Sequence, residues 1–355
     1  MTQTLRQIGL EPVNEEPCLF TGNGVILLVY VDDLLFVYHP DKTQEAERIA
    51  SALLARYELP YEGEGDVFLG VRIIRDRVNQ VVHLNSTDYI KKIVSRFHME
   101  DKHASTPAIK ALTTYDGTAS LKDIHHYQQK IGSINYAAIA TRPDVAKIAS
   151  HLATFMTNPG PEHFDAANRV LAYLNYTQKV GLRYSATANR DATEPSECFV
   201  TSSNAAFGDH SDCHSSEGYL ATLYGGPIDW RASKQKTITT SSTEAELLAI
   251  SEAGKALQWW KRLFNAIGFD PEHQLSIKCD NMQTIRILCK DDPAIQTKLR
   301  HVDIHQHWLR QETQSKRILI DWIPTSHMPA DGLTKLLTGQ RFHNFIRLLG
   351  LTEFV

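Results

Sequence analysis

VILLVYVDDLLFVYHP, residues 25–40, decides the fold of the first half of the chain. An apolar run from Val25 to Val31 meets the acidic pair Asp32-Asp33, and Leu34 to Tyr38 then resumes the apolar character. Two such runs on either side of a short acidic break read as a β-hairpin with carboxylates at its turn. Adjacent acids repel each other and lose hydration on burial, so the turn needs water, a cation or hydrogen bonds. A solvated hairpin tip meets that need as well as a metal site does, and the turn alone leaves both readings open. The apolar run is much shorter than the roughly 20 residues of a membrane-spanning helix. The N-terminus also lacks a basic start followed by an apolar stretch, so neither export nor a membrane partner is expected.

Outward from the hairpin, 355 residues suffice for about two domains, each with its own core. With 37 basic against 41 acidic residues, a net charge of -4 and 42% hydrophobic residues, the chain is neither a charged disordered polymer nor a uniformly basic nucleic-acid binder. Positive charge can still gather on one face. Cys18, Cys198, Cys213, Cys279 and Cys289 form no CxxC pair and are odd in number, which points to reduced thiols. An intracellular location, cytoplasmic or nuclear, is expected.

Thr87 to Phe97 places Ile90, Ile93, Val94 and Phe97 on one helical face, and Phe164 to Tyr176 reads as a second helix, so residues 86–184 are expected to be mainly helical. The small polar stretch from Ser185 to Ser196 suits a connector. Beyond it, Cys198–Ser203 and Gly218–Tyr224 read as strands, Gly225-Gly226 as a turn, and Lys236–Thr240 as a further β-branched strand. Ser241-Ser242-Thr243-Glu244-Ala245-Glu246 holds two overlapping capping-box spacings, Ser241 with Glu244 and Thr243 with Glu246. Ile277 to Asp280 reads as a strand ending in an acid before a helix, and Asp331 stands at another helical start. Each of Glu246, Asp280 and Asp331 alone suits a helix cap. Together they supply hard oxygen ligands for a divalent cation, and spacing leaves both readings open.

Tyr30-Val31-Asp32-Asp33 resembles the Tyr-Val-Asp-Asp box of the reverse transcriptase in copia-type retrotransposon Pol polyproteins. The resemblance continues in order through Phe68-Leu69-Gly70, Thr141-Arg142-Pro143-Asp144 and PGPEHFDAANRVLAYLNYT from Pro159 to Thr177. It implies that Asp32 and Asp33 are paired acids of a two-metal polymerase site that takes Mg2+, or Mn2+, and a primer-template. The family's polymerase also uses an earlier palm aspartate on a separate strand. Only 29 residues precede Tyr30, so an incomplete polymerase is expected, with the missing upstream portion of the polyprotein as a candidate partner.

The second half resembles the ribonuclease H domain of the same elements, through PIDWRASKQKTITTSSTEAE (Pro227 to Glu246), Cys279-Asp-Asn-Met282, LRHVDIHQHWLRQ (Leu299 to Gln311) and WIPTSHMPADGLTK (Trp322 to Lys335). This implies that Glu246, Asp280 and Asp331 hold two metal ions for hydrolysis of the RNA strand in RNA-DNA hybrids. Where the family carries a first-strand aspartate, this chain has Ser203-Asn204-Ala205. Asn204 offers a neutral carbonyl oxygen in place of a carboxylate, so weakened or lost hydrolysis is expected. Asp209 is no ready substitute, because an odd displacement of five residues reverses the facing in a regular strand. Arg231, Lys234 and Lys236 are candidate phosphate contacts. Trp259-Trp260-Lys261-Arg262 reads first as a helix anchor. His301 and His305 share a helical face, but His307 and Asp303 do not, which favours packing over zinc. His327 is either a solvated loop residue or an aid to product departure.

The expected architecture is α/β: a truncated reverse-transcriptase palm over 1–85, a helical thumb/connection region over 86–184, a linker over 185–197, and a ribonuclease H-like mixed-sheet domain with flanking helices over 198–355. The expected function is that of a reverse transcriptase/ribonuclease H fragment acting on RNA-DNA hybrid. The other reading is a noncatalytic nucleic-acid-binding or protein-interaction remnant.

Overall fold

The computed structural model describes residues 1–60, 63–186, 198–271, 274–289 and 300–354; most of the expected linker, 187–197, lies outside the described residues. Among the described residues no helix is long and apolar enough to cross a membrane. The chain divides into two compact units, Met1–Leu69 with Ala256–Glu272, and Gly70–Lys255 with His273–Val355.

In the first unit α1 (Thr2–Gln7) leads into an antiparallel meander of β1 (Glu11–Val13), β2 (Glu16–Gly22), β3 (Val25–Tyr30) and β4 (Asp33–Tyr38), followed by α2 (Thr43–Leu54) and a two-residue strand, β5 (Val67–Phe68). The expected hairpin is β3–β4, in register from Val25 opposite Tyr38 to Tyr30 opposite Asp33, which leaves Val31 and Asp32 as its loop. Alternation along β3 serves both faces of the sheet. Val25 and Leu27 pack with Leu5, Leu10, Phe20 and the Ala46, Ile49, Leu53 stripe of α2. Ile26 and Leu28 face the other way and join Val13, Leu19, Trp259, Trp260 and Leu263. The Trp259 indole N–H donates to the Glu15 carbonyl at 3.3 Å, so the paired tryptophans anchor residues 256–267 of their helix to this sheet.

The second unit begins with β6 (Val71–Asp76) and β7 (Val81–Asn85), then α3 (Thr87–Arg96), α4 (Leu121–Ala140), α5 (Ala146–Ala153) and α6 (Pro161–Tyr176), and returns through β8 (Val180–Ser185). Residues 86–179 are thus largely helical, and 180–185 form a strand that pairs antiparallel with β7. Thr141-Arg142-Pro143-Asp144 closes the turn after α4. The Arg142 and Asp144 side chains are fully buried and joined by two hydrogen bonds of 2.9 and 2.7 Å. The pair is completed locally by further hydrogen bonds: Arg142 also donates to the carbonyl and hydroxyl of Thr177, and the Tyr173 hydroxyl donates to Asp144 at 2.6 Å. The motif therefore ties the α4–α5 turn to the end of α6.

The remainder comprises β9 (Phe199–Ala206), β10 (Ser216–Leu223), β11 (Gly226–Lys234), α7 (Ser242–Ile267), β12 (Ser276–Cys279), α8 (Met282–Cys289), α9 (Arg300–Gln314), β13 (Leu319–Trp322), α10 (Asp331–Thr334), α11 (Gly339–Leu348) and β14 (Thr352–Glu353). The sheet order is β11-β10-β9-β12-β13. Its first three strands are antiparallel, and β12 and β13 add in parallel. This is the mixed sheet with flanking helices that was expected. Lys236–Thr240, expected as a strand, is irregular, because its polar groups find partners outside a strand ladder: the Glu244 carboxylate in the first turn of α7 accepts from the Thr240 N–H and hydroxyl, and Thr239 shares a hydroxyl hydrogen bond with Ser215 before β10. The chain ends by returning to the earlier strands, where β14 pairs with β8 and Phe342 packs edge-on against Tyr173.

Candidate metal-binding centre

The four polar residues singled out in the second half come from four different elements. Asn204 is on the central strand β9, opposite Gly218 of β10. Glu246 lies in the second turn of α7, Asp280 follows the last residue of β12, and Asp331 opens α10. A close approach of α10 to the sheet places Asp331. A Cβ on Gly218 would come within 2.8 Å of Leu333, and one on Gly332 within 2.5 Å of the Phe345 ring, so only glycine permits this wedge.

The capping alternatives resolve onto neighbouring residues. Ser241 caps α7 through the Glu244 N–H at 3.2 Å, and the Glu244 carboxylate accepts from Thr240, which leaves Glu246 out of the cap. The Asn281 side chain accepts from the N–H groups of Gln283 and Thr284 and caps α8, which frees Asp280. No side-chain cap is made at α10.

Asp331 and Asn204 meet directly. The Asn204 amide donates to Asp331 Oδ1 at 3.1 Å and to the Thr334 hydroxyl at 2.9 Å. Lys335 Nζ donates to the same Asp331 oxygen at 2.5 Å. Asp280 accepts from the Thr325 hydroxyl at 2.8 Å. Glu246 is the outlier of the group: only 6% exposed, with Oε2 buried and unpartnered. Burial first, then the negative charges of Asp280 and Asp331, push its carboxyl up to about 8, against a backbone hydrogen bond from Ala205 and the positive charge of Lys335. Next to it, Cys279 is fully buried at the end of β12; burial and the Glu246 and Asp280 charges push its thiol up to about 12.

An orphaned buried carboxylate oxygen beside a second acid suits a divalent cation, which would be held by Glu246 and Asp280. The Asp331 side of the centre is different, since its inward oxygen already receives two donors. Among the described residues no group of three or more His, Cys, Asp or Glu side chains is arranged to hold a metal ion.

The other candidates are placed as follows. Asp32 and Asp33 are exposed at the hairpin tip of the first unit, and their side chains have no hydrogen-bond or ion-pair partner among the described residues. Asp209, beyond the end of β9, accepts from the Ser216 N–H and hydroxyl and pairs with Lys147 at 3.2 Å, so it is fully engaged away from the centre. Arg231 pairs with Glu252 at 3.0 Å and Lys234 with Asp212, while Lys236 is exposed. His305 bonds Ser251 at 2.7 Å, His307 and His327 are exposed, and the His301 side chain lies outside the described residues. Sequence reasoning passed over Lys335; its signal was the i, i+4 spacing from Asp331.

No protein-family model matches the chain. It is 30% identical over 350 residues to the retrovirus-related Pol polyprotein from transposon TNT 1-94 of Nicotiana tabacum, covering 95% of this chain and 25% of that protein. Identity to the corresponding polyprotein from transposon RE1 of Arabidopsis thaliana is 32% over 334 residues, 93% of this chain and 22% of that one. The chain thus spans about a quarter of the length of these polyproteins. Among solved structures, the foamy viral protease-reverse transcriptase in complex with RNA/DNA hybrid matches loosely, with a TM-score of 0.40 and 14% identity over 84% of this chain and 36% of that one. The ribonuclease LC11-RNase H1 matches with a TM-score of 0.31 and 13% identity over 39% of this chain and 93% of that one. A putative transposon Ty5-1 protein of Saccharomyces cerevisiae is 32% identical over 259 residues, 71% of this chain and 81% of its own length. With a relative matched at that identity over most of its length, the chain belongs to the family of retrovirus-related Pol polyproteins of copia-type transposons.

Proposed function

We propose that the chain is a reverse transcriptase/ribonuclease H segment of a retrotransposon Pol protein whose hybrid-directed ribonuclease H site is weakened at its first ligand. The observation that carries this reading is the Asn204 amide donating to Asp331. An aspartate at 204 would set acceptor against acceptor and call for a cation between them; an asparagine satisfies Asp331 without one. Glu246 and Asp280 would hold a divalent ion, which supplies Lewis-acid stabilisation of the leaving oxygen and activation of water. Arg231, Lys234 and Lys236 would contact the phosphates of an RNA-DNA hybrid. Two of these three are held in ion pairs that a phosphate must displace. Asp32 and Asp33 would serve a polymerase metal site together with acids supplied from elsewhere in the polyprotein.

The test measures RNA cleavage in RNA-DNA hybrids with Mg2+ and with Mn2+. Asn204→Asp should raise turnover, and adding Glu246→Gln should abolish the gain. Efficient cleavage by the unaltered chain would overturn the weakened-site reading. Hybrid binding with no cleavage by either form would favour a noncatalytic nucleic-acid-binding remnant.

A further inference from the structure

The centre contains a cation of its own. Lys335 stands one residue past α10, with its ammonium 2.5 Å from Asp331 Oδ1. That oxygen also accepts the Asn204 amide, so Asp331 Oδ1 carries two donors from the chain itself. Asp331 is only 18% exposed, and Lys335, at 48%, reaches it from the solvent side. Across the centre the situation is reversed: Glu246 is buried, its Oε2 has no partner, and the acid next to it is Asp280. One half of the cluster is neutralised from within and the other half is not.

We infer that Lys335 is a tethered cation that competes with divalent metal for the Asp331 carboxylate and confines ion binding to the Glu246–Asp280 side. An ion that takes Asp331 Oδ1 must displace a charge-assisted hydrogen bond, and one that takes the other oxygen must sit beside the ammonium that made it. Asn204 and Lys335 act as a pair. Both can donate to one oxygen only because position 204 carries an amide rather than an acid. The inference rests on the ribonuclease H reading of this cluster, and it makes Lys335 a positioning and gating residue rather than one that touches the reacting atoms.

Calorimetric titration of the full chain with Mn2+ tests it without recourse to activity. The unaltered chain should take up one ion, and Glu246→Gln should abolish that uptake. Lys335→Gln should lower the dissociation constant by about tenfold or add a second ion, the effect of removing one charge-assisted competitor. Lys335→Arg, which keeps the charge, should stay within about twofold of the unaltered chain. A cooperative thermal transition in each would show that all variants are folded. If Lys335→Gln leaves both stoichiometry and affinity unchanged, the inference falls. If Asn204→Asp gains an ion under the same conditions while Lys335→Gln does not, the inference falls and the ribonuclease H reading survives. If no form of the chain takes up Mn2+, both fall.

Discussion

Two buried polar clusters in the second unit answer the same physical problem in opposite ways. At Thr141-Arg142-Pro143-Asp144 the ion pair is closed: each charge has its counter-charge, and Thr177 and Tyr173 complete the hydrogen bonds. At Asn204, Glu246, Asp280 and Asp331 the cluster is left open on one side, with an acid buried and short of a partner. Charge saturated by its own chain is structure, because nothing further can be bound without undoing the fold. Charge left unsaturated at a cost in stability is where a ligand gains the most. Both motifs belong to the family resemblance, and only the hydrogen-bond inventory separates their roles.

Breaking the closed cluster should have the largest effect. Arg142→Met strands Asp144 in a dry site and should cost about 3–5 kcal/mol in urea or thermal unfolding. A loss below about 1 kcal/mol would show that the pair does not tie α4 to α6. At the open cluster the sign should invert. With a chelator present, Glu246→Gln removes an unfavourably buried acid and should raise stability by about 2 kcal/mol at pH 8; a destabilised variant would show that Glu246 already has its partner.

A third site sharpens the contrast through pH. His151 accepts the Leu112 N–H at 3.2 Å through Nε2, and burial first, then the positive charge of Lys147 and the neighbouring His210, push its imidazole down to about 4. The unfolded chain, with an ordinary histidine near 6.5, binds more protons between those two values. The stabilisation is therefore complete above pH 6.5 and is lost as pH falls toward 4. Compared with His151→Gln, the unaltered chain should lose about 1–2 kcal/mol more across that window, allowing for solvent screening of a partly exposed ring. Parallel curves would discount the histidine. The smallest effect belongs to the hairpin tip, where Asp32→Asn with Asp33→Asn should change stability by less than about 0.5 kcal/mol, since both side chains face solvent without partners.

What the sequence disclosed follows the range of the forces involved. The β3–β4 hairpin is legible because its alternation and its two-residue loop are local. So are the Ile90, Ile93, Val94 stripe of α3 and the overlapping caps before α7, although only the fold could assign the cap to Glu244 and leave Glu246 free. Lys236–Thr240 misleads because β-branched residues have strand character while the hydroxyl and amide of Thr240 find a partner at a helix start and the Thr239 hydroxyl finds Ser215. The return of β14 to β8 joins residues about 170 positions apart, and no local pattern announces it. The resemblance supplied the acids of the centre. It could not show that Lys335 had already occupied one of them.

Cys279 turns the centre into its own reporter. Of the five cysteines it is the fully buried one, and its thiol is held far from the thiolate form by burial and the acids beside it. An alkylating reagent can reach it only when β12 opens at the end that carries Asp280. In a chain whose other cysteines are replaced by serine, the rate at which Cys279 is labelled therefore measures how often the Asp280 end of β12 opens. Slower labelling on adding Mn2+ or hybrid would record occupancy of the centre independently of any turnover.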